Sequence, residues 1–145
     1  MNADAFSVLL VDDELEFLET LVKRLKKRNL CVQGAKSGEE ALQMLKSEQP
    51  DVVLLDVKMP GMDGIETLRQ IKKLYPLVEV IMLTGHASME VAIEGMELGA
   101  FDYLMKPMNI DELLYKLQDA YQKKSLQRRK IKKMKEVVGT GDSGD

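Results

Sequence analysis

Two adjacent carboxylates, Asp12-Asp13, close the apolar run Phe6-Ser7-Val8-Leu9-Leu10-Val11, and a third, Asp56, closes Val52-Val53-Leu54-Leu55. Thr84 ends Val80-Ile81-Met82-Leu83, and Lys106 stands just before Pro107. Singly, each has an ordinary reading as a turn residue, helix cap or surface group. Together they are specific. Three carboxylates within ~5 Å of one another repel by roughly 3 kcal/mol per pair at an effective dielectric near 20. Such a cluster either protonates or holds a cation. Hard oxygen ligands on a partly open rim suit Mg²⁺, which takes one or two carboxylates and keeps waters. A divalent ion, an ammonium and a hydroxyl are the parts needed around a transferred phosphoryl group. A carboxylate can itself accept that group as an aspartyl phosphate. Asp56 is the candidate acceptor, because it stands alone, whereas the adjacent Asp12 and Asp13 suit metal holding.

These side chains meet only if separate strands deliver their carboxyl ends to one edge. Runs 6–11, 30–34, 52–55, 79–84 and 101–106 are short and rich in apolar residues, as strands covered on both faces require. Between them lie segments with helical spacing. Residues 14–28 carry Leu18, Leu21, Val22 and Leu25, with Asn29 as a stop. Ser37 and Glu40 have the form of a capping box ahead of Ala41, Leu42 and Leu45. Residues 65–74 align Ile65, Leu68 and Ile71. Residues 88–98 turn Ala92, Ile93 and Met96 inward and stop at Gly99. Asn109 caps a last helix with the stripe Leu113, Leu114, Leu117 and Tyr121.

Five strands alternating with five helices predict an α/β fold: one doubly wound, five-stranded parallel sheet with right-handed crossovers. The flavodoxin-like order 2-1-3-4-5 suits the length, and ligands bind such sheets at the carboxyl edge. The expected division is a domain over residues 1–121, a basic helical extension or linker over 122–138 and a disordered tail over 139–145.

At 145 residues the chain is long enough for one domain with a real core. Its net charge of −3 conceals a division: residues 1–121 hold 13 Lys and Arg against 21 Asp and Glu, a net of −8. Residues 122–145 hold 8 against 3, a net of +5. The single cysteine, Cys31, excludes an internal disulfide, suits a reducing compartment and reads as a buried strand residue. There is no basic-then-apolar leader and no apolar run near the ~20 residues of a membrane span. The expected location is cytoplasmic, with no membrane partner.

The chain resembles the receiver domains of two-component response regulators. The resemblance rests on Leu9-Leu10-Val11-Asp12-Asp13-Glu14, on Leu54-Leu55-Asp56-Val57-Lys58-Met59-Pro60-Gly61-Met62-Asp63-Gly64, on Met82-Leu83-Thr84-Gly85-His86, and on residues 99–107 around Tyr103 and Lys106-Pro107. It covers residues 5 to about 121 in the expected order and spacing. It implies that Asp56 is phosphorylated from the phosphohistidine of a sensor histidine kinase or histidine phosphotransfer protein. It implies Mg²⁺ held by Asp13, Asp56 and the backbone carbonyl of Lys58, with Asp12 acting largely through water. Thr84 and Tyr103 would form the switch pair, and Lys106 would bridge to the phosphate. Positions 58 and 86 flank the phosphoryl group in the family and affect its lifetime, so Lys58 and His86 are candidates for tuning it. Met108 departs from the aromatic frequent there, which bears on local packing. The implied protein is a signalling switch, not an enzyme with separate substrate turnover. Phosphorylation would shift the face formed by the fourth helix, fifth strand and fifth helix.

The basic end has three readings: a helical linker toward an output domain, a dimerising helix, or a nucleic-acid contact. The third rests on charge alone, without interleaved aromatics or a helix-turn-helix pattern. A homodimer could form through the switching face or through the terminal helix. Two other classes fit the same fold less well. A flavodoxin-like cofactor module needs a phosphate cradle after the first strand, where Asp12-Asp13-Glu14 would repel phosphate. A Mg²⁺-dependent phosphatase needs a second acid beside the nucleophile, for which Asp63 is the candidate, and a cap domain.

Overall fold

The computed structural model describes residues 5–58, 63–85 and 89–138. Strands β1 (Ser7–Val11), β2 (Cys31–Ala35), β3 (Val52–Asp56), β4 (Glu79–Thr84) and β5 (Asp102–Met105) alternate with five helices. These are α1 (Leu15–Lys26), α2 (Gly38–Ser47), α3 (Gly64–Leu74), α4 (Met89–Glu97) and α5 (Ile110–Val138). All strand pairs are parallel, in the order β2-β1-β3-β4-β5. The predicted fold is the observed one.

The unbroken apolar runs of β1, β3 and β4 follow from this placement, since each is flanked by strands and covered on both faces. Alternate residues feed two cores. Val8, Leu10, Val52, Leu54, Ile81 and Leu83 pack with Leu18, Leu21 and Leu25 of α1 and Leu113 and Leu117 of α5. Leu9, Val11, Val53, Leu55, Val80 and Met82 pack with Ala41 and Leu45 of α2 and Leu68 and Ile71 of α3. Each such buried aliphatic contributes about 1.5–3 kcal/mol relative to an exposed one. The two layers therefore hold the carboxyl ends of the strands at fixed spacing.

The helix ends read correctly at several points. Asn29 adopts φ +67° and Gly99 φ +107°, the left-handed conformations that end helices. Ser37 Oγ accepts from Glu40 N at 3.0 Å, but Glu40 Oε1 accepts from Lys36 N at 2.6 Å, so the box closes one residue early. Asn109 Oδ1 accepts from the amides of Asp111 and Glu112, at 2.8 and 3.2 Å.

Two expectations fail. Cys31 is exposed, because β2 is the sheet edge and only Val32 and Ala35 of that strand are buried. In α4, Ala92 and Gly95 face inward, while Ile93 and Met96 are 52% and 41% exposed. The small residues let α4 lie close to Met82, which a Cβ at position 95 would strike. Periodicity weighs large apolar residues and gives glycine none of the credit.

Helix α5 runs without a break past Tyr121 to Val138. Tyr121 stacks on Phe6 with centroids 4.7 Å apart. One turn on, the buried Lys124 donates to Asp51 Oδ1 at 2.7 Å, while Ser7 N and Oγ donate to Asp51 Oδ2 at 2.9 and 3.2 Å. Burial pushes the Asp51 carboxyl up, but the Lys124 and Ser7 hydrogen bonds and the Lys124 charge outweigh it and hold it below its ordinary value. Lys123 Nζ lies 3.6 Å from an oxygen of the buried Glu79. No residue after Lys124 is buried through Val138.

Candidate functional site

Asp12 follows the last residue of β1, Asp56 is the last of β3, Thr84 is the last of β4 and Lys106 follows β5. Parallel pairing brings them to one edge. Carboxylate oxygens of Asp12, Asp13 and Asp56 all lie within 4.8 Å of one another. Asp12 and Asp56 are buried and Asp13 is exposed, so the cluster opens to solvent on one side. Hard oxygen donors at this spacing, with an open rim, fit Mg²⁺.

Lys106 organises the acids. Its Nζ lies 2.9 Å from Asp12 Oδ2, 3.2 Å from Glu14 Oε1 and 3.9 Å from Asp56 Oδ2. It also sits 4.3 Å from the centroid of the Phe17 ring. Burial alone would lower the lysine's pKa, but the hydrogen bond and charge of Asp12, with Asp56 and Glu14, raise it above its ordinary value. Both oxygens of Asp12 are engaged: Glu14 N donates to Oδ1 at 2.9 Å and Lys106 to Oδ2. In the sequence Glu14 was legible only as part of the acidic run after the first strand, without a role, and Phe17 not at all. Their only signal was position, within one turn of an acid pair that a lysine must reach.

Asp56 is less fully engaged. Lys58 N donates to its Oδ1 at 3.1 Å, and Lys106 stands beyond hydrogen-bond reach of Oδ2. Burial, joined by the charges of Asp12 and Asp13, pushes its carboxyl up to about 6 against the opposing pull of the Lys58 amide and Lys106. At neutral pH it is a carboxylate of raised basicity, held in place by a backbone amide. Gly64, the first residue of α3, packs against the end of β3, its amide donating to the Val57 carbonyl at 3.3 Å. A Cβ there would stand 2.5 Å from the Asp56 carbonyl oxygen and closer still to Val57 Cα.

Thr84 is buried, and its hydroxyl donates to the Leu104 carbonyl at 3.4 Å. The Lys106 amide donates to the Thr84 carbonyl at 2.8 Å, tying the two site residues through the backbone. Met82 is opposite Tyr103 in the register, so Thr84, two residues after Met82, shares a sheet face with Tyr103. Tyr103 is partly buried against the α2–α3 core. Met108 packs partly into the opposite core. The Lys58 side chain is exposed. His86 and Met59 to Met62 lie outside the described residues. Asp63 does not join the acids: its Oδ1 accepts from Glu66 N at 2.9 Å and caps α3. That removes the candidate second acid of a phosphatase.

A cleft of about 400 Å³ between α3 and α4, lined by Lys58, Ile65, Arg69 and Glu94 among others, adjoins the site. A hollow of similar size beside Cys31, Gln33 and Pro50 lies at the opposite end of the strands and has no part in this chemistry.

The sequence profile of the response regulator receiver domain matches residues 8–118. The DNA-binding transcriptional regulator NtrC of Escherichia coli (strain K12) is 42% identical over 105 residues, 72% of this chain and 22% of that protein. The transcriptional regulatory protein ZraR of the same strain is 39% identical over 120 residues, 83% of this chain and 27% of that protein. A CheY-like response regulator receiver domain protein from Methanospirillum hungatei JF-1 superposes with a TM-score of 0.81 at 31% identity, covering 86% of this chain and 99% of that one. NtrX from Brucella abortus gives 0.84 at 29% identity, over 94% of this chain and 31% of that one. The chain thus spans about a quarter of the length of these curated relatives.

Proposed function

The chain belongs to the response regulator receiver domain family, and on that premise we propose that Asp56 is its phosphoacceptor. The observation that carries this reading is the meeting of Asp12, Asp13 and Asp56 around Lys106 at one sheet edge. An Asp56 carboxylate oxygen attacks the phosphorus of a phosphohistidine on a sensor kinase or phosphotransfer protein. The P–N bond breaks as the P–O bond forms, and the imidazole leaves with the electron pair and takes up a proton.

Asp13, Asp56 and the Lys58 carbonyl would hold Mg²⁺, with Asp12 acting largely through water; when bound, the ion supplies charge neutralisation for the phosphoryl oxygens. The chain's own residues do the rest. Lys58 N holds Asp56 Oδ1 and leaves Oδ2 for attack. Lys106, already charged and 3.9 Å away, moves from Asp12 to the new phosphoryl oxygen. Thr84 exchanges a long bond to the Leu104 carbonyl for a shorter, charge-assisted one. That movement opens space on the sheet face it shares with Tyr103, which turns inward. Lys58 and His86 flank the phosphoryl group and tune its lifetime.

The surface that reads the change is α4–β5–α5, where Met89, Ile93, Met96, Met105 and Tyr115 are 41–68% exposed. It controls a partner, an output domain or dimerisation. Residues 1–121 act as the receiver, 122–138 as its extension and 139–145 as a tail. The protein works in the cytoplasm with its kinase; among the described residues no helix is long and apolar enough to cross a membrane. To move such a switch from about 1:99 to 99:1 takes roughly 5.5 kcal/mol of differential stabilisation.

The test supplies Mg²⁺ and a small phosphodonor such as acetyl phosphate or phosphoramidate, followed by intact-mass measurement. One phosphoryl group should be gained by the wild type and none by Asp56→Asn. Equal labelling of the two would overturn the assignment.

A further inference from the structure

Burial along α5 ends at Lys124, but the apolar spacing of the helix resumes beyond it. In a seven-residue frame, Ile110, Leu113, Leu117, Ala120, Lys124, Gln127, Ile131, Met134 and Val138 occupy successive seam positions. Leu113, Leu117, Ala120 and Lys124 are buried against the body. Ile131, Met134 and Val138 continue the same seam and are 39%, 64% and 84% exposed. Beyond the polar seam positions Lys124 and Gln127, an apolar patch of Ile131, Met134 and Val138 thus stands clear of the body on the same helix frame, as half of a helix–helix interface.

The flanks of the seam identify the other half. Positions beside it are Lys123, Arg128, Lys130 and Lys135, with Val137 after them. From 122 to 138 there are eight Lys and Arg and one acid, Glu136, on the far side of the helix. A parallel pair of these helices would set Lys130 of one copy against Lys135 of the other, and Lys123 against Arg128. An antiparallel pair also meets only like charges at its flanks. A second copy of this chain is therefore a poor occupant. Duplex nucleic acid would use the cations but leave Ile131, Met134 and Val138 in water, and a single strand would find no aromatic in 122–138 to stack on. An amphipathic helix with an apolar seam and flanking Asp or Glu satisfies both features.

We infer that residues 125–138 of α5 are a docking helix for an acidic amphipathic helix of another protein. This surface is separate from the phosphoacceptor edge, so its occupancy can be measured on the unphosphorylated chain.

The test uses the full 145-residue chain and a labelled three-heptad peptide with Ile and Leu at the seam and Glu at both flanks. A peptide of the same seam with Lys flanks is the control. The Glu peptide should bind about tenfold or more tighter than the Lys peptide, and its affinity should fall as salt screens the flanks. Ile131→Gln with Met134→Gln should abolish binding. Both residues are exposed, so the receiver core stays intact. Arg128→Glu, Lys130→Glu and Lys135→Glu together should reverse the peptide preference. Three results would overturn the inference: equal or absent binding of the peptides, tighter binding of random duplex DNA that ignores Ile131 and Met134, or self-association of the chain at low salt that the Ile131→Gln, Met134→Gln pair abolishes.

Discussion

Asp56 is held at neutral pH in a form its surroundings resist. A carboxyl whose folded pKa exceeds its unfolded one contributes stability that is complete below about pH 4 and is lost as pH rises through the folded value. For Asp56 that value is about 6. Asp56→Asn removes the loss, so it should stabilise the metal-free protein by about 2 kcal/mol above pH 7, and by nothing near pH 4. Thermal denaturation across that range checks the sign. Mg²⁺ should raise the wild-type Tm and narrow the gap, because a ligand that binds only the folded state stabilises it. Lys106→Met should act oppositely on the fold. It strips the buried Asp12 of its 2.9 Å partner, and breaking such a pair costs about 3 kcal/mol.

At the scale of elements, the junctions β3–α3 and α5–β3 decide most. Gly64 is required by the backbone of Asp56 and Val57, which cannot rotate away as a side chain would. Gly64→Ala should cost more than about 2 kcal/mol, since backbone must move. It should also slow phosphodonor labelling, because the displaced atoms belong to Asp56 and Val57; urea melts and labelling rates measure the two effects separately. The foot of α5 behaves differently. The folded pKa of Asp51 lies below its ordinary value, so its contribution is present above about pH 4 and disappears as pH falls through that lower value. Asp51→Asn should therefore destabilise the protein at neutral pH by about 1–2 kcal/mol. The difference from wild type should vanish in strong acid, and amide exchange in residues 122–138 should quicken at neutral pH.

For the molecule as a whole, the acidic receiver and the basic helix end divide the charge, and the sequence alone determined that division. It also determined the strand–helix alternation, the helix stops at Asn29 and Gly99, and the five polar residues at four strand ends, because hydrophobic period and turn chemistry are local properties. Polar residues after buried strands have few places to go in a parallel sheet, which is why the site was legible before its geometry. What only the tertiary structure decided depends on neighbours. Cys31 is exposed because β2 is the edge, and edge position follows from strand order rather than composition. Ile93 and Met96 point outward because Gly95 lets α4 sit close to Met82, a fit that no hydrophobic pattern encodes. Glu14 and Phe17 join the site because Lys106 reaches them across about ninety residues of sequence. Lys124 is buried because Asp51 waits beneath it. A charge is read as exposed until the fold provides its counterion.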